Sequence, residues 1–131
     1  MKNFLFISFS LILILSSCSS GQTQSNKYSL SPNEFSEKMN QQPDAVILDV
    51  RTPGEYAEGH LINAKNVDWN GNDFDAQIKT IDKSKPVFVY CQAGGRSESA
   101  AKKMRKEGYK EVYELKGGFE EWQEAKLPSI Q

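Results

Sequence analysis

Two short runs carry no charged side chain: Ala45-Val46-Ile47-Leu48 and Val87-Phe88-Val89-Tyr90. Unbroken apolar runs of this length are the mark of strands covered on both faces, since a half-exposed strand alternates polar with apolar residues. Each run is followed closely by a helix start. After the first comes Thr52-Pro53-Gly54-Glu55, with a threonine to cap, a proline at the first helical position and a glutamate to close a capping box. After the second comes a glycine-rich turn and a helix predicted over 97–107, with Ala100, Ala101 and Met104 on one side and Gly108 at its end. Buried strands joined through helices predict an α/β domain with a parallel sheet and helices on both faces.

The other elements fit that plan. Leu30-Ser31-Pro32-Asn33-Glu34-Phe35 is a helix start with its own capping box, and Leu30 and Phe35 stand where a hydrophobic staple forms. Gln41-Gln42-Pro43-Asp44 ends that helix. A brief strand is expected over 64–67, a helical segment through Phe74, Ile78 and Ile81, a last strand over 111–115 and a closing helical turn over 119–124. Lys102, Lys103, Arg105 and Lys106 read as a solvated face near the negative end of their helix rather than as a binding patch.

The apolar residues of positions 4–15, preceded by Lys2 and followed by Ser16-Ser17-Cys18, have the layout of a secretory signal. As a helix this stretch would be about 18 Å long, short of the roughly 30 Å hydrocarbon core. Leu15-Ser16-Ser17-Cys18 resembles the bacterial lipobox, in which the cysteine is lipidated and becomes the new first residue. The expected organisation is a lipoprotein signal peptide over 1–17, a lipidated Cys18 with a polar tether over 18–26, and one folded domain over 27–131. It places the protein at the cell envelope, anchored to a membrane by its lipid and facing the periplasm or exterior.

The chemistry concentrates in Cys91-Gln92-Ala93-Gly94-Gly95-Arg96-Ser97. A buried strand delivers a sulfur to the carboxyl edge of the sheet, where α/β proteins gather function. Gly94 and Gly95 let the backbone curl with positive φ. The helix that follows leaves free N–H groups pointing into the loop, and Arg96 adds a fixed positive charge. Each factor favours a thiolate, so Cys91 is the expected nucleophile, and the same donors would hold an anion beside it.

This loop resembles the Cys-x-x-Gly-x-Arg-[Ser/Ala] loop of the rhodanese family. The segment Asp49-Val50-Arg51 through Glu55-Tyr56 and Gly59-His60-Leu61 to Ala64 is similar to that family's Asp-Val-Arg and Gly-His-Ile stretch. Tyr113-Glu114-Leu115-Lys116-Gly117-Gly118 with Trp122 resembles its C-terminal motif. The resemblance implies a single rhodanese-like three-layer domain, with a mostly parallel central sheet of about five strands and helices on both faces. It also implies sulfane-sulfur transfer, from thiosulfate or a related anionic donor, through a Cys91 persulfide, to a thiol or a protein cysteine, with no metal or organic cofactor. The backbone amides of Gln92, Ala93, Gly94, Gly95, Arg96 and Ser97 would steady thiolate and persulfide, and Arg96 would help bind the donor. Asp49, Arg51, Glu55 and His60 are expected to support the structure, with Arg96 also able to pair with Asp49 or Glu55. Ser97 could donate to the sulfur or cap the helix. Tyr56, Trp69, Tyr113, Phe119 and Trp122 read as packing residues.

Other classes fit less well. Sixteen basic and seventeen acidic side chains leave no basic excess for nucleic acid. Two cysteines and one histidine cannot build a disulfide framework and leave a zinc site short of ligands. Four residues separate Cys91 from Arg96, one fewer than the Cys-x5-Arg loop that cradles three phosphate oxygens, so phosphatase chemistry is the weaker reading. A rhodanese-like binding or sulfur-carrier module stands as the alternative to turnover. Nothing in the sequence forces a dimer, and a monomer is expected.

Overall fold

The computed structural model describes residues 26–131; the expected signal peptide, Cys18 and all of the expected tether except Asn26 lie outside the described residues. Five strands form one parallel sheet in the order β1 (Ser29–Leu30), β6 (Val112–Leu115), β5 (Val87–Tyr90), β2 (Val46–Asp49), β4 (Lys65–Asn66). The two apolar runs are the central pair, in register from Val46 against Val87 to Asp49 against Tyr90. The five helices are α1 (Pro32–Asn40), α2 (Pro53–Ala57), α3 (Phe74–Ile78), α4 (Gly95–Lys106) and α5 (Gly118–Glu124). A separate antiparallel pair joins β3 (His60–Leu61) to β7 (Ser129–Ile130). The α/β class, the parallel sheet and the helices on both faces stand as the sequence implied.

The period of two along each strand sorts the core into two halves. Leu48, Val87, Val89 and Val112 pack on one face with Phe74 and Ile78 of α3 and Ala100, Ala101 and Met104 of α4. Ile47, Phe88, Tyr90 and Tyr113 pack on the other with Phe35 of α1 and Phe119 and Trp122 of α5. Phe35 meets Phe88 edge to face, with ring centroids 5.1 Å apart. Continuing the alternation past Tyr90 puts Cys91 on the α4 face, and it belongs to that half of the core. The strand's own pleat therefore aims the sulfur at the start of α4.

Three details depart from the sequence reading. Strands β1, β3 and β7 have two residues each, too short to show a period. Helix α4 opens at Gly95 rather than Ser97, because Gly94 at φ +110° makes the turn and Gly95 is already helical. Arg105 is not simply solvated: its Nη1 donates to the Val112 carbonyl at 2.9 Å and its guanidinium lies 5.0 Å from the Tyr28 ring centre. Its long stem covers the sheet edge while the charge finds a carbonyl acceptor.

Candidate active site

Strand β5 ends at Tyr90, and Cys91 follows with only 1% of its surface exposed. The next three residues turn the chain so that the Gly94 N–H points back at the sulfur, donating to Sγ at 3.1 Å. Gly94 occupies the left-handed region, where only glycine sits without strain. Of the loop amides, Gly94 supplies the hydrogen bond to sulfur. Those of Gly95, Arg96 and Ser97 open α4 and have no helical carbonyl one turn back, so they remain for a ligand. Ser97 is fully buried, and its Oγ lies 3.3 Å from Sγ and 3.1 Å from the Gly94 carbonyl oxygen. A hydroxyl has one proton, so with this geometry it serves the sulfur or the carbonyl, one at a time.

Arg96 turns to a carboxylate. Its Nη1 and Nη2 donate to Oε2 and Oε1 of Glu55, both at 2.8 Å, a two-point fork. Glu55 also closes the α2 capping box, accepting from the Thr52 N–H at 2.9 Å. Hydrogen bonding from Arg96, opposed by burial and aided by Thr52, brings the Glu55 carboxyl down to about 2. The Glu55 hydrogen bond raises the Arg96 guanidinium further above its ordinary value. The sequence offered Asp49 and Glu55 as partners for Arg96; the structure selects Glu55.

Beneath the loop, Asp49 and Arg51 are buried together, with Nη2 2.6 Å from Oδ2. Arg51 uses its other donors on the Gln92 side chain at 3.0 Å and the Gly59 carbonyl at 2.6 Å. Its guanidinium lies 4.4 Å from the centre of the Phe119 ring. Burial opposes its charge, but the Asp49 hydrogen bond and charge outweigh that and raise it. The Tyr90 hydroxyl donates to Asp49 at 2.7 Å and accepts from the Leu61 N–H at 3.0 Å. Burial and the Asp49 charge push that phenol well above its usual value. Four segments are thus tied at the strand ends, with the buried charges of Asp49 and Arg51 paired.

Helix α5 clamps the loop from its far side. The Phe119 N–H donates to the Cys91 carbonyl at 2.8 Å and the Glu120 N–H to the Gln92 carbonyl at 3.1 Å. Gly118, at φ +66°, lies so close that a Cβ there would sit 2.5 Å from both carbonyl oxygens. His60 is away from this chemistry in its contacts: Nδ1 is 2.9 Å from the Tyr56 carbonyl, and the ring stacks on Tyr56 at 3.8 Å.

Residues 31–125 match the Rhodanese-like domain family. This chain belongs to that family. The chain is 41% identical over 78 residues to the uncharacterized protein YqhL of Bacillus subtilis, a match covering 60% of each. It is 43% identical over 79 residues to the thiosulfate sulfurtransferase GlpE of Coxiella burnetii, covering 60% of this chain and 72% of that one. Its fold superposes on the solution structure of the polysulfide-sulfur transferase homodimer of Wolinella succinogenes with TM-score 0.67 and 31% identity, over 78% of this chain and 77% of that one.

In this rhodanese-like domain the structure brings together Cys91, Gly94, Gly95, Arg96 and Ser97 at the loop, and Asp49, Arg51 and Glu55 around it. Gln92 faces Arg51, Ala93 is exposed at the crest, and His60 stays with Tyr56. Tyr90, Asn66 and Gly118 were not among the expected site residues. Asn66 Nδ2 donates to the carbonyls of Asp49 and Arg51 at 3.1 and 2.8 Å, fixing the turn that carries Arg51. A hydroxyl on the last residue of a fully buried strand was the available signal for Tyr90, since such an oxygen needs a partner.

Proposed function

We propose that this domain is a sulfurtransferase that moves sulfane sulfur from thiosulfate or a related donor to a thiophilic acceptor through a persulfide on Cys91. The observation that carries the reading is the Cys91 sulfur held by the Gly94 N–H and the Ser97 hydroxyl at the mouth of α4. In the first step the Cys91 thiolate attacks the outer sulfur of thiosulfate. The S–S bond of the donor breaks, its electron pair leaves with sulfite, and Cys91 carries a persulfide anion. In the second step an acceptor, cyanide or a thiolate, attacks that outer sulfur. The new S–S bond breaks, its electrons return to Cys91, and the thiolate is restored. The amides that open α4 suit an anion at either stage, and small donors suit a sulfur so deeply set. Incubation with thiosulfate should add the mass of one sulfur atom to the intact protein, reversed by cyanide with release of thiocyanate. Persistence of that gain in Cys91→Ala, or no gain in the native protein, would overturn the mechanism.

A second reading rests on Cys91 being the one free cysteine among the described residues. With no resolving thiol beside it, the persulfide is discharged by an outside acceptor, and the domain then serves as a sulfur carrier or docking module. Full complementation of a deletion strain by Cys91→Ser would favour docking over transfer. We further propose that Cys18 is lipidated and holds the domain at the cell envelope. Incorporation of a labelled fatty acid, lost in Cys18→Ser, tests this.

A further inference from the structure

We propose that a cleft behind the sulfur loop binds a guanidinium or ammonium head group on an aliphatic stem, the side chain of arginine or lysine. The cleft holds about 230 Å³ and lies between the start of α4 and the end of β6, lined by Gly94, Gly95 and Gly117, by Ser29, Glu98 and Glu114, and by Lys116. The alternation along β6 places Glu114 on the same face as Val112, toward α4. Glu114 is 6% exposed, and its Oε2 has no hydrogen-bond partner. A buried carboxylate oxygen left unpaired is costly, and native structures seldom keep one without a ligand.

Lys116 lines the cleft and Lys102 lies close enough to act on the Glu114 charge, but neither forms an ion pair with Glu114. Among the described residues, the ion pairs are Asp49–Arg51, Glu55–Arg96, Asp75–Lys103 and Lys103–Glu107, and none involves Glu114. Arg105, the nearest guanidinium by its effect, donates to the Val112 carbonyl and covers Tyr28. Burial raises the Glu114 carboxyl; Arg105 pulls it back, the neighbouring Glu98 charge raises it again, and the Ser29 hydroxyl and the Lys102 charge lower it in part, leaving it raised. An incoming cation would relieve both carboxylates together.

The shape of the site argues for an organic cation over a metal ion. A divalent cation wants six or more oxygens, and no three His, Cys, Asp or Glu side chains converge among the described residues. A guanidinium needs one carboxylate fork and a slot for its plane, and an ammonium on a stem needs less. Two acids against one lysine and a wall of glycine backbone provide these, and the volume takes the stem as well as the head. A basic side chain seated there would hold a partner polypeptide against Gly94 and Gly95, beside the loop that carries Cys91.

The test reads binding rather than sulfur transfer, so it stands or falls apart from the proposed activity. The ¹⁵N–¹H spectrum of the protein is followed while Nα-acetyl-arginine amide, free arginine, the neutral isostere Nα-acetyl-citrulline amide or calcium chloride is added. The expected result is a saturable shift at Gly94, Gly95, Glu98, Glu114 and Gly117 with the blocked arginine. Saturation by free arginine as well means that the side chain alone suffices; no shift with it means that the site wants a peptide. Glu114→Gln should weaken binding about tenfold or more, the scale of a lost charge-assisted hydrogen bond. Glu98→Lys, on the exposed first turn of α4, keeps the fold and should also abolish the shift. Equal binding of the citrulline isostere, unchanged binding in both variants, no saturable shift, or saturation by calcium at the same residues overturns the proposal.

Discussion

Replacing Gly118 by alanine should do more damage than its size suggests, because the strain falls on the backbone that carries Cys91. The residue has φ +66°, and holding an L side chain in that region costs about 1–2 kcal/mol. The new Cβ would stand 2.5 Å from the carbonyl oxygens of Cys91 and Gln92, where ordinary contact begins near 3.4 Å. Relief requires α5 and the loop to part by most of an ångström. That movement stretches the hydrogen bonds from Phe119 and Glu120 to the same carbonyls, now 2.8 and 3.1 Å, and each is worth about 0.5–1.5 kcal/mol. The total loss is about 2–5 kcal/mol. Gly95→Ala is the control: nothing stands within 4 Å of its Cβ position and its backbone is helical, so alanine there should leave stability unchanged or add up to about 1 kcal/mol. Urea unfolding followed by Trp69 and Trp122 fluorescence measures both. Cys91 alkylation by a small iodoacetamide reports the loop and should quicken in Gly118→Ala as the clamp opens. A loss below about 1 kcal/mol for Gly118→Ala, or an equal loss for Gly95→Ala, refutes the steric argument.

Ser97→Ala removes the hydroxyl beside the sulfur; a hydrogen bond to a charged group is worth about 1.5–3 kcal/mol, so persulfide formation from thiosulfate should slow about 10–100-fold in stopped-flow or quench measurements. Tyr90→Phe strands the buried Leu61 N–H and removes one donor from Asp49 Oδ2, which keeps Arg51, and should lower stability by about 1–3 kcal/mol in urea unfolding. Glu55 is held at about 2, below its unfolded value of 4.5. Its contribution is therefore complete above about pH 4.5 and fades as the pH falls toward 2. For this partly exposed pair, screening limits it to about 1 kcal/mol. Glu55→Gln should differ from the native protein by that amount at neutral pH, and the difference should close across that acid window in pH-dependent unfolding.

Legibility followed the length scale of the signal. Both capping boxes could be read because the same hydroxyl, proline and glutamate recur at the first, second and fourth positions of each turn, and both form: Glu34 accepts from the Ser31 N–H at 2.9 Å, as Glu55 does from Thr52. The strand pair Val46–Asp49 and Val87–Tyr90 showed as apolar runs, and the alternation within them decides where Cys91 points. Strands β1, β3 and β7, of two residues each, left no pattern, and β3 and β7 pair across nearly 70 residues of chain, a contact that no local window contains. The double glycine at Gly117-Gly118 was visible as a motif but not as a mechanism. Its reason is an approach to carbonyls 26 and 27 residues earlier, which becomes evident only once α5 is placed against the loop.

The placement of charge at the loop changes how an anion would be held there. From sequence, Arg96 was the obvious cation for a sulfur donor. In the structure Glu55 takes both of its terminal nitrogens in a fork, and the negative charges of Cys91 and Asp68 raise the guanidinium further. A cation paired in this way acts on the sulfur with part of its charge already offset. What stays unmatched is the backbone: the Gly94 N–H on sulfur and the free amides that open α4, which carry roughly half a positive charge at the helix end. These donors are fixed in place and need no side-chain rearrangement when negative charge develops on the outer sulfur. Neutralising Arg96 while keeping its shape should then alter sulfur transfer mainly by loosening Glu55 and α2. Moving Gly94 off the left-handed turn should strike the chemistry directly. Arg96→Gln and Gly94→Ala, compared for persulfide yield per folded molecule, separate the two. A larger loss for Arg96→Gln returns the role to the side chain.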